Sequence, residues 1–220
     1  MSLKYNAMFR SDPFSFVKTY SVDIKGWFEG LMRAAGGGGI HGTLLQAANA
    51  AGACRIDFEP IGGFMNLGVD TVQARFVPNG GIDAYWVPYH AGHGLPGYTD
   101  VLRRNPASNF VFTAGMNGCA FVITDSPEGA AYMRVYHHQH PDAQDIWNDI
   151  HNVGAQIISV AGFDEYGGGA LAHGMNPVAF NFLFYRNSNW NYVFQPQAFN
   201  ALSRAPARRL VGQASMKSVF

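Results

Sequence analysis

The chain has 220 residues, its 15 Lys+Arg are balanced by 15 Asp+Glu, and only 14% of its residues are charged. This neutral composition excludes the clustered positive charge that nucleic-acid binding or a polybasic membrane anchor requires. A hydrophobic content of 48% and an aromatic content of 14% exclude a disordered chain, and the length suits one domain. No stretch approaches the ~18 consecutive apolar residues of a membrane-spanning helix.

The N-terminal third predicts helices. Residues 1–20 mix charged and aromatic side chains without an apolar signal-peptide core, so we expect no Sec signal and treat them as a candidate flexible segment. Apolar residues at helical spacing predict helices at 23–35 and 43–51, with a glycine loop at 36–39 between them.

The remainder of the chain predicts mainly strands. Short stretches rich in Phe, Val, Ile and Tyr, bounded by Gly, Pro or Asn, are typical of strands. They lie at 55–59, 71–77, 82–87, 109–113, 119–124, 131–138, 156–161, 178–185 and 192–195. Residues 142–152, preceded by Pro141, predict a further helix. We therefore expect residues 1–220 to form a single α+β domain, a β-sandwich of two mixed sheets with flanking helices.

Residues 109–140 are the most informative stretch, because they are expected to form strand, glycine-rich turn, strand, tight turn and strand. Pro127 presets the first position of the tight turn at 126–130, and Gly129 accepts the left-handed backbone that closes it. The sequence therefore predicts a hairpin in which the first and last residues of this turn are paired.

That register would place Cys119 directly opposite His137. Opposite residues of a hairpin point to the same face with Cβ atoms roughly 5 Å apart, within hydrogen-bond reach for a thiol and an imidazole. An imidazole that takes the thiol proton lowers the thiol pKa below its ordinary ~8.5. We therefore predict Cys119 as a nucleophile and His137 as its general base and acid, with the N–H groups of Gly118 and Cys119 as an oxyanion hole. A buried, inert Cys119 is the alternative, since cysteine is also a common core residue.

The same stretch resembles the active-site segment of the bacterial cysteine glutamine-deamidase toxins. These include the Burkholderia lethal factor and the cytotoxic necrotizing factor catalytic domain, which are related to the chemoreceptor glutamine deamidase. Residues 116–119 read Met-Asn-Gly-Cys, similar to the toxins' Leu-Ser-Gly-Cys element, with Asn117 in place of serine. Thr113 stands six residues before the cysteine, as in the lethal factor and the chemoreceptor enzyme. Residues 135–137, Val-Tyr-His, resemble the Val-His end of the histidine strand.

The resemblance implies hydrolysis of a glutamine side chain to glutamate on a host protein by a Cys–His thioester mechanism, with Thr113 orienting His137. Targets in that family include Rho-type GTPases and a translation-initiation RNA helicase. We therefore expect a monomeric bacterial toxin or effector that needs no cofactor. We further expect delivery to the host-cell cytosol without a Sec signal peptide.

Other histidines are secondary candidates. His90 and His93 follow a predicted strand, and together with Asn117 and His138 they could line a substrate cleft. Residues 137–140 read His-His-Gln-His, but consecutive strand residues face opposite sides and no zinc signature accompanies them, so we predict no metal site.

Two alternatives to deamidation stay open. The same Cys–His pair could transfer the acyl group to an amine, as a transglutaminase does, or cleave a peptide bond. The chain could instead be a non-enzymatic β-sandwich binding module that uses its aromatic strands and glycine loops. In that case Cys119 would resist alkylation in the folded state.

Overall fold

The computed structural model describes residues 3–23, 51–60, 71–90, 94–153, 156–168, 176–199, 209–210 and 214–220. Apart from residues 23 and 51, the predicted helices at 23–35 and 43–51 lie outside the described residues, as does the glycine loop at 36–39.

Three α-helices, one 3-10 helix (Phe163–Glu165) and thirteen strands make up the described regular structure. The α-helices are α1 (Leu3–Ser11), α2 (Pro13–Thr19) and α3 (Gln144–Asn152). The strands are β1 (Ser21–Asp23), β2 (Gly52–Pro60), β3 (Thr71–Phe76), β4 (Ile82–Val87), β5 (Gly97–Leu102), β6 (Phe110–Thr113), β7 (Ala120–Asp125), β8 (Tyr132–His138), β9 (Ile157–Ala161), β10 (Asn176–Arg186), β11 (Asn189–Phe199), β12 (Arg209–Leu210) and β13 (Ser215–Ser218).

The strands form two sheets. The nine-stranded sheet has the order β1-β3-β2-β4-β6-β10-β11, and both β12 and β13 pair with β11. It is mixed, because β1 pairs with β3 and β4 with β6 in parallel while its other pairs are antiparallel. The four-stranded sheet, β5-β8-β7-β9, is antiparallel throughout.

The sheets and helices form layers around separate buried clusters. One face of the large sheet packs against α1 and α2, and its other face packs against the small sheet. Helix α3 covers the outer face of the small sheet. Strand β10 shows how one strand serves two layers: Phe182 lies in the cluster under α1, while Leu183 lies between the sheets. This alternation follows from the two-residue period of a strand.

Helices α1 and α2 occupy the segment for which the sequence pattern predicted no element. Asp12 caps α2 by accepting hydrogen bonds from the backbone N–H and the hydroxyl of Ser15, at 3.0 and 2.6 Å, and Pro13 begins the helix. Phe9 and Phe16 then pack against Phe58 of β2, with ring centroids 4.5 and 5.3 Å apart. Tertiary packing of these aromatic rings, more than helix propensity, holds the short helices in place.

The coarse prediction of an α+β domain with two sheets and flanking helices is confirmed. The expectation of two mixed sheets is wrong for the small sheet, because all three of its strand pairs are antiparallel. Nothing in this architecture is specific to a deamidase.

Candidate functional site

The β7–β8 hairpin has a different register from the predicted one. Phe121, not Cys119, lies opposite His137. Two consecutive turns fill the connection, since the N–H of Gly129 bonds the carbonyl of Ser126 and the N–H of Tyr132 bonds that of Gly129. The second turn consumes two more residues than a single tight turn would, and the whole register moves by two.

Cys119 and His137 nevertheless share a face of the small sheet, because a shift of two residues preserves side-chain alternation. The register continued beyond β7 sets Cys119 opposite Gln139, and the Cys119 Sγ lies 4.0 Å from the Gln139 carbonyl oxygen. Cys119 is therefore a diagonal neighbour of His137, at the longer of the two cross-strand separations.

Thr113 and His137 form the best-defined polar contact between the sheets. The Thr113 hydroxyl donates to the Val87 carbonyl at 2.9 Å and lies 2.6 Å from Nδ1 of His137. Because the hydroxyl has one hydrogen and gives it to Val87, it accepts from Nδ1–H. The other ring nitrogen, Nε2, then carries the lone pair, and it is buried with no hydrogen-bond partner among the described residues.

In an activated Cys–His pair the thiol is ionised and the imidazole is protonated. Cys119 and His137 have the opposite protonation. Burial raises the pKa of the Cys119 thiol. Burial, and secondarily the neighbouring His138, lower the pKa of His137 to about 3. Both groups are therefore neutral near pH 7, whereas reactive cysteines have a depressed pKa beside a positive charge.

The remaining predicted residues do not join this pair. His138 points to the opposite face of the small sheet, where its ring packs 4.6 Å from Trp147 of α3. Asn117 and His90 are exposed. His93 lies outside the described residues. Gly118 has φ +79°, a backbone conformation that favours glycine.

Three further side chains near the pair were not predicted from the sequence. The Tyr89 ring lies edge-on to His137 at 5.2 Å, and the Tyr166 hydroxyl donates to the Cys119 carbonyl at 3.0 Å. Asn181 is buried with both amide atoms unpaired within the described part of the chain, and the β6–β10 register extended by one residue sets it opposite Thr113. Its signal in the sequence is an amide within the aromatic strand Phe-Asn-Phe at 180–182.

No group of three or more metal-ligating side chains occurs in the described segments. None of the helices that the structure describes is long and apolar enough to cross a membrane.

A comparison with protein-family models shows the family to which this sequence is related. The model of the Mcf1 activator-binding domain matches residues 6–219, nearly the whole chain. This chain belongs to that family. No curated protein matches the sequence.

Membership of the Mcf1 activator-binding domain family corrects the functional expectations. The resemblance to the deamidase toxins is wrong, because the matching family is a different one. The prediction of a glutamine-deamidase toxin, with its hydrolase chemistry, is wrong for the same reason, and the alternative of a binding module fits better. The family description implies a protein partner, but not a Rho-type GTPase or an RNA helicase in particular.

The deamidase resemblance misled because it depended on residues 109–138 alone. A Gly-Cys pair, a threonine six residues earlier and a histidine on the next strand are only four residues, which unrelated β-hairpins can share. The family match instead extends over residues 6–219. The local pattern placed residues close together in space without specifying what they do.

Proposed function

We propose that this chain is a protein-binding module whose partner is an activating protein. The observation that carries the proposal is the match of residues 6–219 to the Mcf1 activator-binding domain family. Recognition then depends on the exposed surface of the layered fold and not on a catalytic centre between its sheets.

The chemistry of the Cys119–His137 region supports a binding role. The thiol pKa is raised and the imidazole pKa is lowered, so the resting pair holds no thiolate. Cys119 is 6% exposed and His137 is fully buried, so a protein substrate could reach neither side chain in this conformation. These residues support the packing of the two sheets in the folded module.

The charge composition is also compatible with a protein partner. With 15 basic and 15 acidic residues, the chain does not attract polyanions over long distances. Binding then depends on local complementarity of shape, apolar contact and a small number of charged contacts.

Affinity capture followed by reconstitution tests this proposal. The immobilised folded chain is exposed to a lysate of cultured eukaryotic cells, and retained proteins are identified by mass spectrometry against a heat-unfolded control. Each candidate is then purified and titrated against the chain by calorimetry. We expect one protein to bind saturably with a defined stoichiometry. If no purified candidate binds the folded chain saturably, the proposal is wrong.

Catalysis by Cys119 stays a separate prediction, which family membership does not address. A Cys119→Ser variant separates it from binding, because the substitution removes the thiol but leaves the exposed surface intact. Partner affinity equal to that of the wild type is the expected result, because binding through the exposed surface does not use the thiol.

A further inference from the structure

A polar cleft opens at the end of β6 that lies away from Thr113. It is formed by the α1–α2 junction, the start of β4, the loop before β6 and the end of β10, and its volume is about 580 Å³. This volume is in the range of ordinary ligand sites, roughly 300–1,000 Å³. Its polar and charged lining includes Arg10, Ser11, Asp83, Ser108, Asn109 and Arg186.

The charges that line this cleft are unequally compensated. Asp83 is paired with Arg55 at 2.8 Å, so its negative charge is already balanced. The Arg10 guanidinium donates to the Gly81 carbonyl, a neutral acceptor, and the Arg186 side chain is exposed.

Asp12 is the acidic group that Arg186 attracts electrostatically. Hydrogen bonds from Ser15, with a smaller contribution from Arg186, lower the pKa of Asp12. Both Asp12 carboxylate oxygens accept from Ser15 at the start of α2. The two cleft arginines therefore retain donors suited to an additional carboxylate.

A second cleft adjoins the first across the β10–β11 turn. Its volume is about 360 Å³, and it is lined by Arg103, Arg104, Ser188, Asn189 and Phe220. Arg103 pairs with Asp125 and lies over the Phe220 ring, 5.9 Å from its centroid. The loop 103–109 borders both clefts, and the N–H of Asn105 bonds the Tyr185 hydroxyl at 3.2 Å.

These two clefts, which we call the arginine clefts, therefore place four of the chain's 15 basic residues beside the loop 103–109 and the β10–β11 turn, and of these Arg103 is already paired with Asp125. Aromatic side chains accompany them: the half-exposed Phe220 contributes to the second cleft, and Phe110 and Phe184, which are mostly buried, line the first. Arginine with aromatic residues is the composition that protein interfaces favour.

We propose that the arginine clefts dock an acidic segment of the protein partner. A carboxylate of that segment binds between Arg10 and Arg186, and an apolar side chain farther along the segment packs against the half-exposed Phe220 of the second cleft. This inference rests on the proposed binding function and names the surface and the charge of the partner segment. An extended acidic peptide fits better than an isolated anion, because two clefts bordered by the same loop exceed what one phosphate would fill.

Peptide binding tests the docking surface without the natural partner. The probe is a fluorescein-labelled peptide in which Glu alternates with Leu and Ser, and the matched control peptide has Lys in place of each Glu. Anisotropy at low ionic strength reports binding to the 220-residue chain. We expect the acidic peptide to bind at least roughly tenfold more tightly than the basic one, and to weaken as salt screens the charges.

Charge variants locate the site. Arg186→Glu changes an exposed side chain, and we expect it to weaken acidic-peptide binding by roughly tenfold or more. Lys4→Glu is the matched control, because Lys4 is an exposed cation at the other end of α1. Equal binding of both peptides, or an unchanged affinity in Arg186→Glu, would overturn the proposal. Displacement of the peptide by an equal concentration of inorganic phosphate would also overturn it, in favour of a simple anion site.

The captured partner separates the two proposals. A partner that binds the wild type and Arg186→Glu equally would eliminate the arginine clefts while leaving the binding function in place. Failure of any purified protein to bind the wild type would instead reject the binding function. Loss of partner affinity in Arg186→Glu at an unchanged melting temperature supports both.

Discussion

Acidification from pH 7 to pH 5 should destabilise the folded chain through two buried histidines. His137 lies between the sheets and His138 lies under α3, and neither side chain is exposed. Burial is the first cause that lowers the pKa of each, to about 3 for His137 and about 4 for His138.

The groups around the two imidazoles decide how unfavourable their protonation is in the folded state. Thr113 and the Tyr89 ring, both uncharged near neutrality, face His137. Around His138, burial is the main cause that disfavours protonation and the charge of His140 adds to it, while Asp145 opposes the shift only in part. A proton added to His137 in the folded state therefore meets no carboxylate among these contacts, and one added to His138 is compensated only in part by Asp145.

The sign and size follow from proton linkage. In the unfolded chain each imidazole titrates near pH ~6.5, so between pH 6.5 and the folded values the unfolded state binds more protons. Stability is therefore complete above pH 6.5 and falls as pH decreases, by about 1.4 kcal/mol per pH unit for each histidine. At pH 5 the two together cost about 3–4 kcal/mol, a large fraction of a typical 5–15 kcal/mol domain stability.

Urea unfolding monitored by Trp fluorescence, at intervals from pH 7 to pH 5, measures the effect. His137→Phe and His138→Phe each remove one titrating group while keeping an aromatic ring in place. We expect each variant to show about half of the wild-type dependence of unfolding free energy on pH. His90→Gln, at an exposed position, is the control and should retain the full dependence.

A wild type whose pH dependence over this interval equals that of the His137→Phe/His138→Phe double variant would refute the reasoning. It would mean that both imidazoles accept protons in the folded state, and so that they are not held in a dry environment. Restricting the interval to pH 5 and above keeps most carboxylates ionised, so their titration contributes little.

Two further outcomes concern other buried groups. Iodoacetamide should label Cys119 at least roughly a hundredfold more slowly in the folded chain than in urea, because burial raises its thiol pKa and restricts access; peptide mass spectrometry measures this, and equal rates would contradict it. Gln195→Leu should lower the unfolding free energy by about 2–4 kcal/mol, because it strands the buried carbonyls of Val17 and Tyr20 that accept from its amide at 2.6 Å. Gln144→Ala, on the exposed face of α3, should change it by less than about 0.5 kcal/mol, and equal losses in the two variants would contradict the assignment.

Strand positions were predictable because they depend on local chemistry. β4 was predicted with its observed bounds, and the ends of β6, β7 and β8 differ by one residue. β5 was missed although Gly97, Thr99 and Val101 are buried and alternate with more exposed residues. The hydrophobic pattern does not show this alternation, because small or polar residues, Gly97 and Thr99, lie on the buried face while Tyr98 and Leu102 lie on the more exposed face.

The arrangement of Cys119 and His137 was likewise predictable only in part from the sequence. The alternation of β7 and β8 was sufficient to put Cys119 and His137 on one face of a hairpin. It could not set their separation, because an additional turn after Gly129 moved the register by two residues. The contact of His137 with Thr113 joins strands of different sheets, and no pattern within one hairpin specifies which sheet packs against it.

Composition and periodicity alone established a neutral α+β domain with two sheets, flanking helices and two cysteines, because these properties depend on residue type and on short-range repeats. Only the tertiary structure decided the protonation and exposure of those residues, because both depend on burial by segments distant in sequence. It made Cys119 a buried thiol beside a neutral imidazole. It also brought Arg10, Arg104 and Arg186 to two clefts beside the β10–β11 turn, in a chain whose overall charge is zero.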